Sequence, residues 1–513
     1  CCNTVDAVIV LERYDQLDLD AYRRVVVQHE PLDVAAPLLD QVAESRRFME
    51  AYLASGADAY GVTTGLGYLA RRPIAAEDRL ALQRSILVGR AAGVGEALPE
   101  EVVRGALLLR LTGFLSRHAG VTPGLCRFIA DRLNDGWYPV VPASRPGTAG
   151  ETILLCHLFQ TFIGEGEVLV AGERVPAAEA LARLGAAPYE LQLKEGLALV
   201  NGAPVAPALA ATLAARAEAL LDQATVLGAL AAALVGAPTR PYSPRLGRLK
   251  GDSGQQRVHA QLAELCAGEP AADGPQAPVS MRVLPQVHGA ARDQLDNLVG
   301  QVERELRAVT DSPLYLGAEG DEPEGFYPSG NFHSQALSLA LDATAIAFAQ
   351  VASLAEKRLG RLLDSRFSGL PEQLSPAPER GQAGLVTLHK AVVGLSAENR
   401  LLAAPASVQA SDTSSGQEDF QAFTALAADK LGRLLDNLEL TLAYELVALR
   451  QARELGAARL APLLTDAIEM AVTALEPVLF DRSLAPDVER ARELIRSGEL
   501  TAARVRYTPS RMG

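Results

Sequence analysis

The sequence is poor in aromatic residues and in cysteines, and it lacks long apolar runs. Only 5% of the 513 residues are aromatic, and the five cysteines show no Cys-x-x-Cys spacing typical of zinc sites. No uninterrupted apolar stretch reaches the roughly 18 residues that a membrane-spanning helix requires. These absences predict a protein without a metal site and without a membrane segment. The scattered cysteines favour reduced thiols and a cytoplasmic location.

Positive charge is also scarce. The chain has 48 Lys and Arg residues against 62 Asp and Glu residues, which gives a formal net charge of −14. Nucleic acids and anionic lipid surfaces attract proteins with the opposite balance. We therefore expect a small-molecule ligand, and neither nucleic acid nor membrane as a partner.

Helical patterns rich in Ala and Leu dominate the chain, above all after residue 200. They predict helices at 80–118, 124–134, 151–163, 205–235, 287–308, 332–364, 387–403 and 420–455. The fold class is therefore mainly α: an elongated bundle of long helices over 201–513, with a smaller mixed portion over 1–200. We expect both portions to form one continuous structural unit.

The longest predicted helices are apolar nearly all round, for example over 336–355. A monomer would expose much of that apolar surface to water. The pattern therefore predicts a homo-oligomer.

Six short motifs follow one another between about residues 50 and 450. They are YGVTTGLG at 60–67, VVPASRPGTAGETILLCHLFQTFIGEGE at 140–167, LVNGAP at 199–204, MRVLPQVHGA at 281–290, SGNFH at 329–333 and SSGQEDF at 414–420. In this order they resemble the aromatic amino-acid ammonia-lyase family, which includes histidine, phenylalanine and tyrosine ammonia-lyases and related aminomutases. The resemblance covers most of the chain and implies a homotetramer with active sites shared between subunits.

The resemblance also implies a cofactor made from the backbone. An Ala-Ser-Gly triad in the family cyclises into 4-methylidene-imidazol-5-one (MIO), an electrophile that captures the substrate amine. Ordinary side chains are not electrophilic enough for this task, so the cofactor carries the difficult chemistry. The reaction implied is elimination of ammonia from an aromatic or histidine-like α-amino acid.

Two alignments of the triad segment are possible, and neither shows Ala-Ser-Gly. In the first, Thr148, Ala149 and Gly150 take the place of the triad, Ala149 replaces its serine, and no methylidene can form. In the second, residues 147–150 match the family's preceding Gly-Ser/Thr-x-Gly and Glu151 matches the acidic residue that follows the triad. The cyclised triad, which a one-letter sequence can omit, then falls at the junction of Gly150 and Glu151.

By resemblance, several residues form the catalytic and substrate-binding set. Tyr60 is the base that removes the β-proton, Asn201 contacts the electrophile or the substrate, and Arg282 binds the substrate carboxylate through two parallel hydrogen bonds. Three further residues fall in pocket segments of the family: Gln286, Asn331 and Phe332.

Substrate choice in the family depends on a pair of residues that is Gly89 and Arg90 here. This pair matches none of the histidine, tyrosine or phenylalanine lyases, whereas Glu418 resembles the glutamate of histidine lyases. Three interpretations of Arg90 remain open: it pairs with Glu418 as a polar floor, it faces an acidic group of the substrate, or it is a solvated charge on a helix.

Two departures from the family pattern are Val279, where a tyrosine is usual, and Ser312, where an asparagine is usual. They keep three hypotheses open. The protein is an ammonia-lyase or an aminomutase with MIO, a catalyst of another type without it, or a non-catalytic homologue.

Overall fold

The computed structural model describes residues 8–270, 276–456 and 458–502. The helices are α1 (Leu19–Val26), α2 (Ala36–Ala54), α3 (Arg79–Val88), α4 (Glu100–Leu115), α5 (Pro123–Asn134), α6 (Thr152–Phe159), α7 (Ala177–Arg183), α8 (Glu195–Val200), α9 (Val205–Leu234), α10 (Pro244–Lys250), α11 (Ser253–Leu265), α12 (Val279–Arg282), α13 (Leu284–Glu305), α14 (Gln335–Leu363), α15 (Ser365–Ser368), α16 (Val386–Leu402), α17 (Thr424–Leu455), α18 (Pro462–Ala474), α19 (Ala485–Ser497) and α20 (Glu499–Ala502). The fold is mainly α, as predicted.

Six short strands accompany the helices in the described residues. They are β1 (Ile9–Leu11), β2 (Leu32–Val34), β3 (Glu167–Val170), β4 (Glu173–Pro176), β5 (Leu314–Leu316) and β6 (Gly325–Tyr327). They pair as β1 with β2 in parallel, and as β3 with β4 and β5 with β6 in antiparallel orientation.

The chain forms two compact units, each built from segments far apart in sequence. Of the described residues, the first unit contains those within 8–212, 299–339 and 406–428, and the second contains those within 213–298, 340–405 and 429–502. In the first unit, α3 and α6 pack on α8, and α4 packs on α5. Nearly every residue of α4 and every residue of α8 is buried, so these two short segments form much of that unit's core.

Local sequence signals set several helix ends. The Thr122 side chain accepts a hydrogen bond from the Leu125 N–H, and Pro123 occupies the first turn of α5. Helix α10 likewise begins at Pro244, and it is followed by Gly251, which adopts the left-handed conformation that glycine favours.

The predicted helices after residue 200 are confirmed to within a few residues. The single helix predicted over 80–118 is wrong, because the chain leaves α3 at Val88 and starts α4 only at Glu100. Gly93, Gly95 and Pro99 lie in the interruption. Glycine costs backbone entropy in a helix, and proline is compatible only with its first turn, so the interruption has a local cause.

Two helical segments, Glu195–Leu234 and Gln335–Leu363, are long and apolar enough by length and composition to cross a membrane. Their most apolar stretches are 83% and 61% buried inside the protein. Burial of this kind is usual for the core helices of a soluble protein.

Candidate active site

Tyr60 lies in a tight turn between α2 and α3. Its phenol oxygen accepts a hydrogen bond from the Gly67 N–H at 2.8 Å. Gly61, with φ of +67°, adopts the left-handed region, and a Cβ there would lie 2.7 Å from a methyl carbon of Leu197. The half-buried phenol is therefore held by its own loop, with a backbone donor placed to stabilise negative charge on its oxygen.

Glu418 lies against the loop that precedes α6. One carboxylate oxygen accepts a hydrogen bond from the Ala149 N–H at 2.9 Å, and the other accepts one from the Ser414 hydroxyl at 2.9 Å. A β-bridge between Thr413 and Glu418 closes the turn that carries the carboxylate. Glu418 is thus a fixed, half-buried anion beside residues 148–150.

The Tyr60 loop reaches the same region. A Cβ at Gly67 would lie 4.0 Å from both the Cβ and the hydroxyl of Ser414. Gly67 therefore carries the phenol of Tyr60 on one side and approaches the partner of Glu418 on the other. The structure brings together three of the predicted segments: 60–67, 147–151 and 414–418.

Glu151 is buried directly behind this loop. Its two carboxylate oxygens accept hydrogen bonds from the Val205 and Ala206 N–H groups, each at 2.6 Å. These are the first N–H groups of α9, which have no partner inside the helix. Burial raises the pKa of Glu151 to about 8, although the two N–H donors act in the opposite direction.

Asn201 and Gly202 pack against the other side of the loop. The Glu151 N–H donates to the Gly202 carbonyl at 3.3 Å, and the Asn201 side-chain amide donates to the Ser312 carbonyl. Gly202 has φ of +117°, and a Cβ there would lie 2.6 Å from the Arg110 guanidinium. Only glycine fits this position. The hydrogen bond from the Glu151 N–H to Gly202 keeps this turn, and with it Asn201, beside Glu151.

Three buried charges support that turn. The Lys194 ammonium donates to the Asp311 carboxylate at 3.0 Å, and the Arg110 guanidinium lies 3.6 Å from the same carboxylate. Arg110 also donates to the Asn201 carbonyl. Burial lowers the pKa of Arg110 to about 10 and also lowers the pKa of Lys194. The Asp311 carboxylate offsets part of this effect on both cations.

A small cavity opens at the loop. Its lining residues are Pro146, Thr148, Ala149, Gly150, Glu151, Leu154, Phe332, Ser334 and residues 422–425. A Cβ at Gly150 would lie 3.5 Å from the Phe332 Cβ, so Phe332 borders the loop. The exposed Asn331 instead donates its side-chain amide to the Val309 carbonyl at 3.1 Å.

The remaining predicted residues lie elsewhere. Gly89 ends α3, and Arg90 follows it close enough to the Cys156 thiol in α6 to lower that group's pKa, against the dominant effect of burial. Within the described residues, Arg90 forms no ion pair with Glu418. Arg282 and Gln286 belong to the second unit, where the buried Nε of Arg282 has no hydrogen-bond partner among the described residues.

Comparison with known proteins gives the protein its class. A family profile described as aromatic amino acid lyase matches residues 17–476. The chain belongs to this family. It is 38% identical to a histidine ammonia-lyase of Symbiobacterium thermophilum over 488 residues, which cover 93% of this chain and 95% of that protein.

Solved structures agree with the family assignment. A tyrosine aminomutase from Streptomyces globisporus superposes with a TM-score of 0.88 at 28% identity, covering 96% of this chain and 98% of that one. A histidine ammonia-lyase from Trypanosoma cruzi gives 0.86 at 26% identity, covering 96% and 94%. This aromatic amino acid lyase is therefore an enzyme of the carbon–nitrogen lyase class.

The family depends in general on MIO. Residues 147–151, Gly-Thr-Ala-Gly-Glu, do not fit that group, because they contain no serine from which it could form. Gly150 and Glu151 are consecutive residues, and the described loop contains no triad at their junction. In the alignment that puts Thr148, Ala149 and Gly150 at the triad, Ala149 stands in the place of the serine and has no hydroxyl group to lose.

Sequence reasoning missed four residues that hold the site together: Arg110, Lys194, Asp311 and Ser414. Arg110 falls inside a helix, where a charged residue usually faces solvent, and its burial has no signal in the sequence. The polar residues of 411–419 do indicate a turn, but not that Ser414 would bind Glu418.

Proposed function

We propose that this aromatic amino acid lyase eliminates ammonia from an α-amino acid with a histidine-like side chain. The observation that carries the proposal is Glu418, a fixed carboxylate next to the 147–151 loop and within the same unit as Tyr60. The curated relatives at 34–38% identity are named histidine ammonia-lyases, which favours the lyase over the aminomutase alternative.

Tyr60, Glu418 and Arg282 have different roles in the proposed reaction. Tyr60 takes the β-proton, and the Gly67 N–H stabilises the phenolate that must be present first. Glu418 accepts a hydrogen bond from the imidazole N–H of the substrate through a remaining lone pair. By family resemblance, we assign Arg282 to the substrate carboxylate, which a guanidinium binds through two parallel hydrogen bonds.

A panel of α-amino acids tests this function. Purified protein is incubated with histidine, tyrosine or phenylalanine, and ammonia and the conjugated acrylate are both quantified. We expect both products in equal amounts and the highest kcat/KM with histidine. A β-amino acid product would identify an aminomutase, and no product from any α-amino acid would refute the proposal.

Substitution of Gly89 and Arg90 tests which residues recognise the distal end of the substrate. We propose that Arg90 faces this end, since no residue of the described chain forms an ion pair with it. Replacing the pair by Ser-His, the histidine-lyase type, should raise the preference for histidine over phenylalanine. An unchanged substrate ranking would place the pair outside the pocket.

We also propose a homotetramer with shared active sites and a cytoplasmic location. Exposed apolar side chains such as Leu401, at 77% exposure, and Val408, at 70%, support association. The buried, unpaired Cys126, Cys156 and Cys266 suit a reducing compartment. Light scattering at micromolar concentration should give four times the chain mass of 54.2 kDa, and a monomer would contradict the assembly.

A further inference from the structure

We infer that residues 147–151 remain an ordinary linear peptide in the mature enzyme, because Ala149 occupies the place of the triad serine. The consequence for catalysis is that the amine leaves without covalent capture by the protein. Only this consequence rests on the proposed function. The state of the loop can be measured on the protein without substrate.

The chemistry of cyclisation explains why alanine is not enough. The backbone nitrogen of the third triad residue attacks the carbonyl carbon of the first, and one water leaves. The middle residue then loses its hydroxyl group and its α-proton as a second water, which creates the methylidene carbon. Here the middle residue is Ala149, and making a methylidene from its methyl group would require an oxidant that the reaction does not supply.

The hydrogen bonds of the loop also fit a linear peptide. Ring formation removes the N–H hydrogen of the middle residue, yet the Ala149 N–H is the donor held by Glu418 at 2.9 Å. A cyclised ring would place a nitrogen lone pair against that carboxylate, which is repulsive while the carboxylate is charged. Glu418 is therefore positioned for the uncyclised loop.

Thr148 does not replace the missing serine. It is the only hydroxyl residue between 147 and 151, and its hydroxyl donates to the Gly150 carbonyl. In a ring with Thr148 as the middle residue, the backbone nitrogen of Ala149 would be the attacking nitrogen. Ring closure would again remove the N–H hydrogen that Glu418 binds. Both hydroxyl chemistry and backbone geometry thus oppose an internal electrophile.

Elimination of ammonia without the electrophile is balanced in atoms and electrons. Tyr60 takes the β-proton, the C–H electron pair becomes the new C=C bond, and the C–N pair departs with the nitrogen. The substrate amine must then be protonated, so that it leaves as neutral ammonia. No bond forms between the substrate and the protein at any stage.

Intact-mass and peptide-mass spectrometry of the whole enzyme test the inference. We expect the wild-type peptide containing 147–151 to have the mass of its unmodified sequence. We expect the peptide of Ala149→Ser to be lighter than its own unmodified sequence by two water molecules, since the introduced serine would complete a Thr-Ser-Gly triad. Incubation with cyanide should add one cyanide to Ala149→Ser and none to the wild type.

Ala143→Ser is the matched control, because it adds a serine to the same loop outside the triad position. It should keep its unmodified mass.

A wild-type peptide lighter by one or two waters would overturn the inference, and so would one heavier by a cyclised triad between Gly150 and Glu151. An unmodified Ala149→Ser would show that Ala149 is not the cause and would overturn that assignment. If the wild type is unmodified but releases no ammonia from any amino acid, the proposed function fails while the loop assignment stands.

Discussion

Glu418 binds the backbone N–H of Ala149 at 2.9 Å, across 269 positions of sequence. Through this contact the Glu418 carboxylate supports the loop. The proposed function gives the same carboxylate a second role, which is to bind the side chain of the substrate. The two roles predict different effects of substitution on different substrates.

Glu418→Ala separates these roles. A hydrogen bond to a charged group is worth about 1.5–3 kcal/mol, so we expect kcat/KM with histidine to fall roughly tenfold to a hundredfold. The loss with phenylalanine should be smaller if Glu418 faces the imidazole. Ser414→Ala keeps the carboxylate and removes its neighbour, so it should cost less than Glu418→Ala. Equal losses with both substrates would limit Glu418 to supporting the loop.

Glu151 makes stability depend on pH. Burial raises its pKa from 4.5 to about 8 in the folded protein. The folded state therefore holds a proton that the unfolded state has lost between about pH 4.5 and pH 8. The contribution of Glu151 to the free energy of unfolding is fully present below this window. It should decline by an amount on the order of a few kcal/mol as pH rises through it.

Glu151→Gln should remove this pH dependence while keeping one acceptor oxygen for α9. Denaturant unfolding at pH values between 5 and 8 gives the difference between the two proteins. Glu77→Gln, at an exposed carboxyl, serves as the control and should follow the wild type. Parallel curves for wild type and Glu151→Gln would contradict the assignment.

The sequence was informative where a local pattern or a motif carried the information. Apolar periodicity was enough for α9, α13, α14, α16 and α17, and the glycines and Pro99 that divide α3 from α4 also mark that break locally. The motif resemblance named Tyr60 and Glu418, which the structure places in one unit.

Long-range pairings of buried polar groups could not be predicted. The carboxylate of Glu151 satisfies the start of α9, 54 positions away, and the Lys194–Asp311 pair spans 117 positions. Neither pairing has a spacing or a composition that marks it in the sequence. Such contacts depend on the complete fold, because each buried group must find whichever partner the packing brings near it.

The buried pair of Lys194 and Asp311 should be essential for stability. Asp311→Ala leaves two buried cations without their shared anion, which costs about 3–5 kcal/mol for a pair of this kind. Chemical denaturation should show this loss. Asp321→Ala removes an exposed carboxylate ten positions away and should change stability little. A loss below about 1 kcal/mol in Asp311→Ala would mean that water already compensates the cations.

Tyr60→Phe tests the proposed base while removing a single oxygen atom. The phenol oxygen is half-buried and receives the Gly67 N–H, so its loss leaves one backbone donor to solvent and changes packing little. We expect kcat to fall by about 10²–10⁴, the usual contribution of a positioned general base, with an unchanged thermal unfolding midpoint.

Tyr68→Phe is the matched control, because Tyr68 lies in the same loop region and is 71% exposed. It should retain full activity. If Tyr60→Phe turns over histidine at the wild-type rate, another group removes the β-proton and Tyr60 only braces the loop.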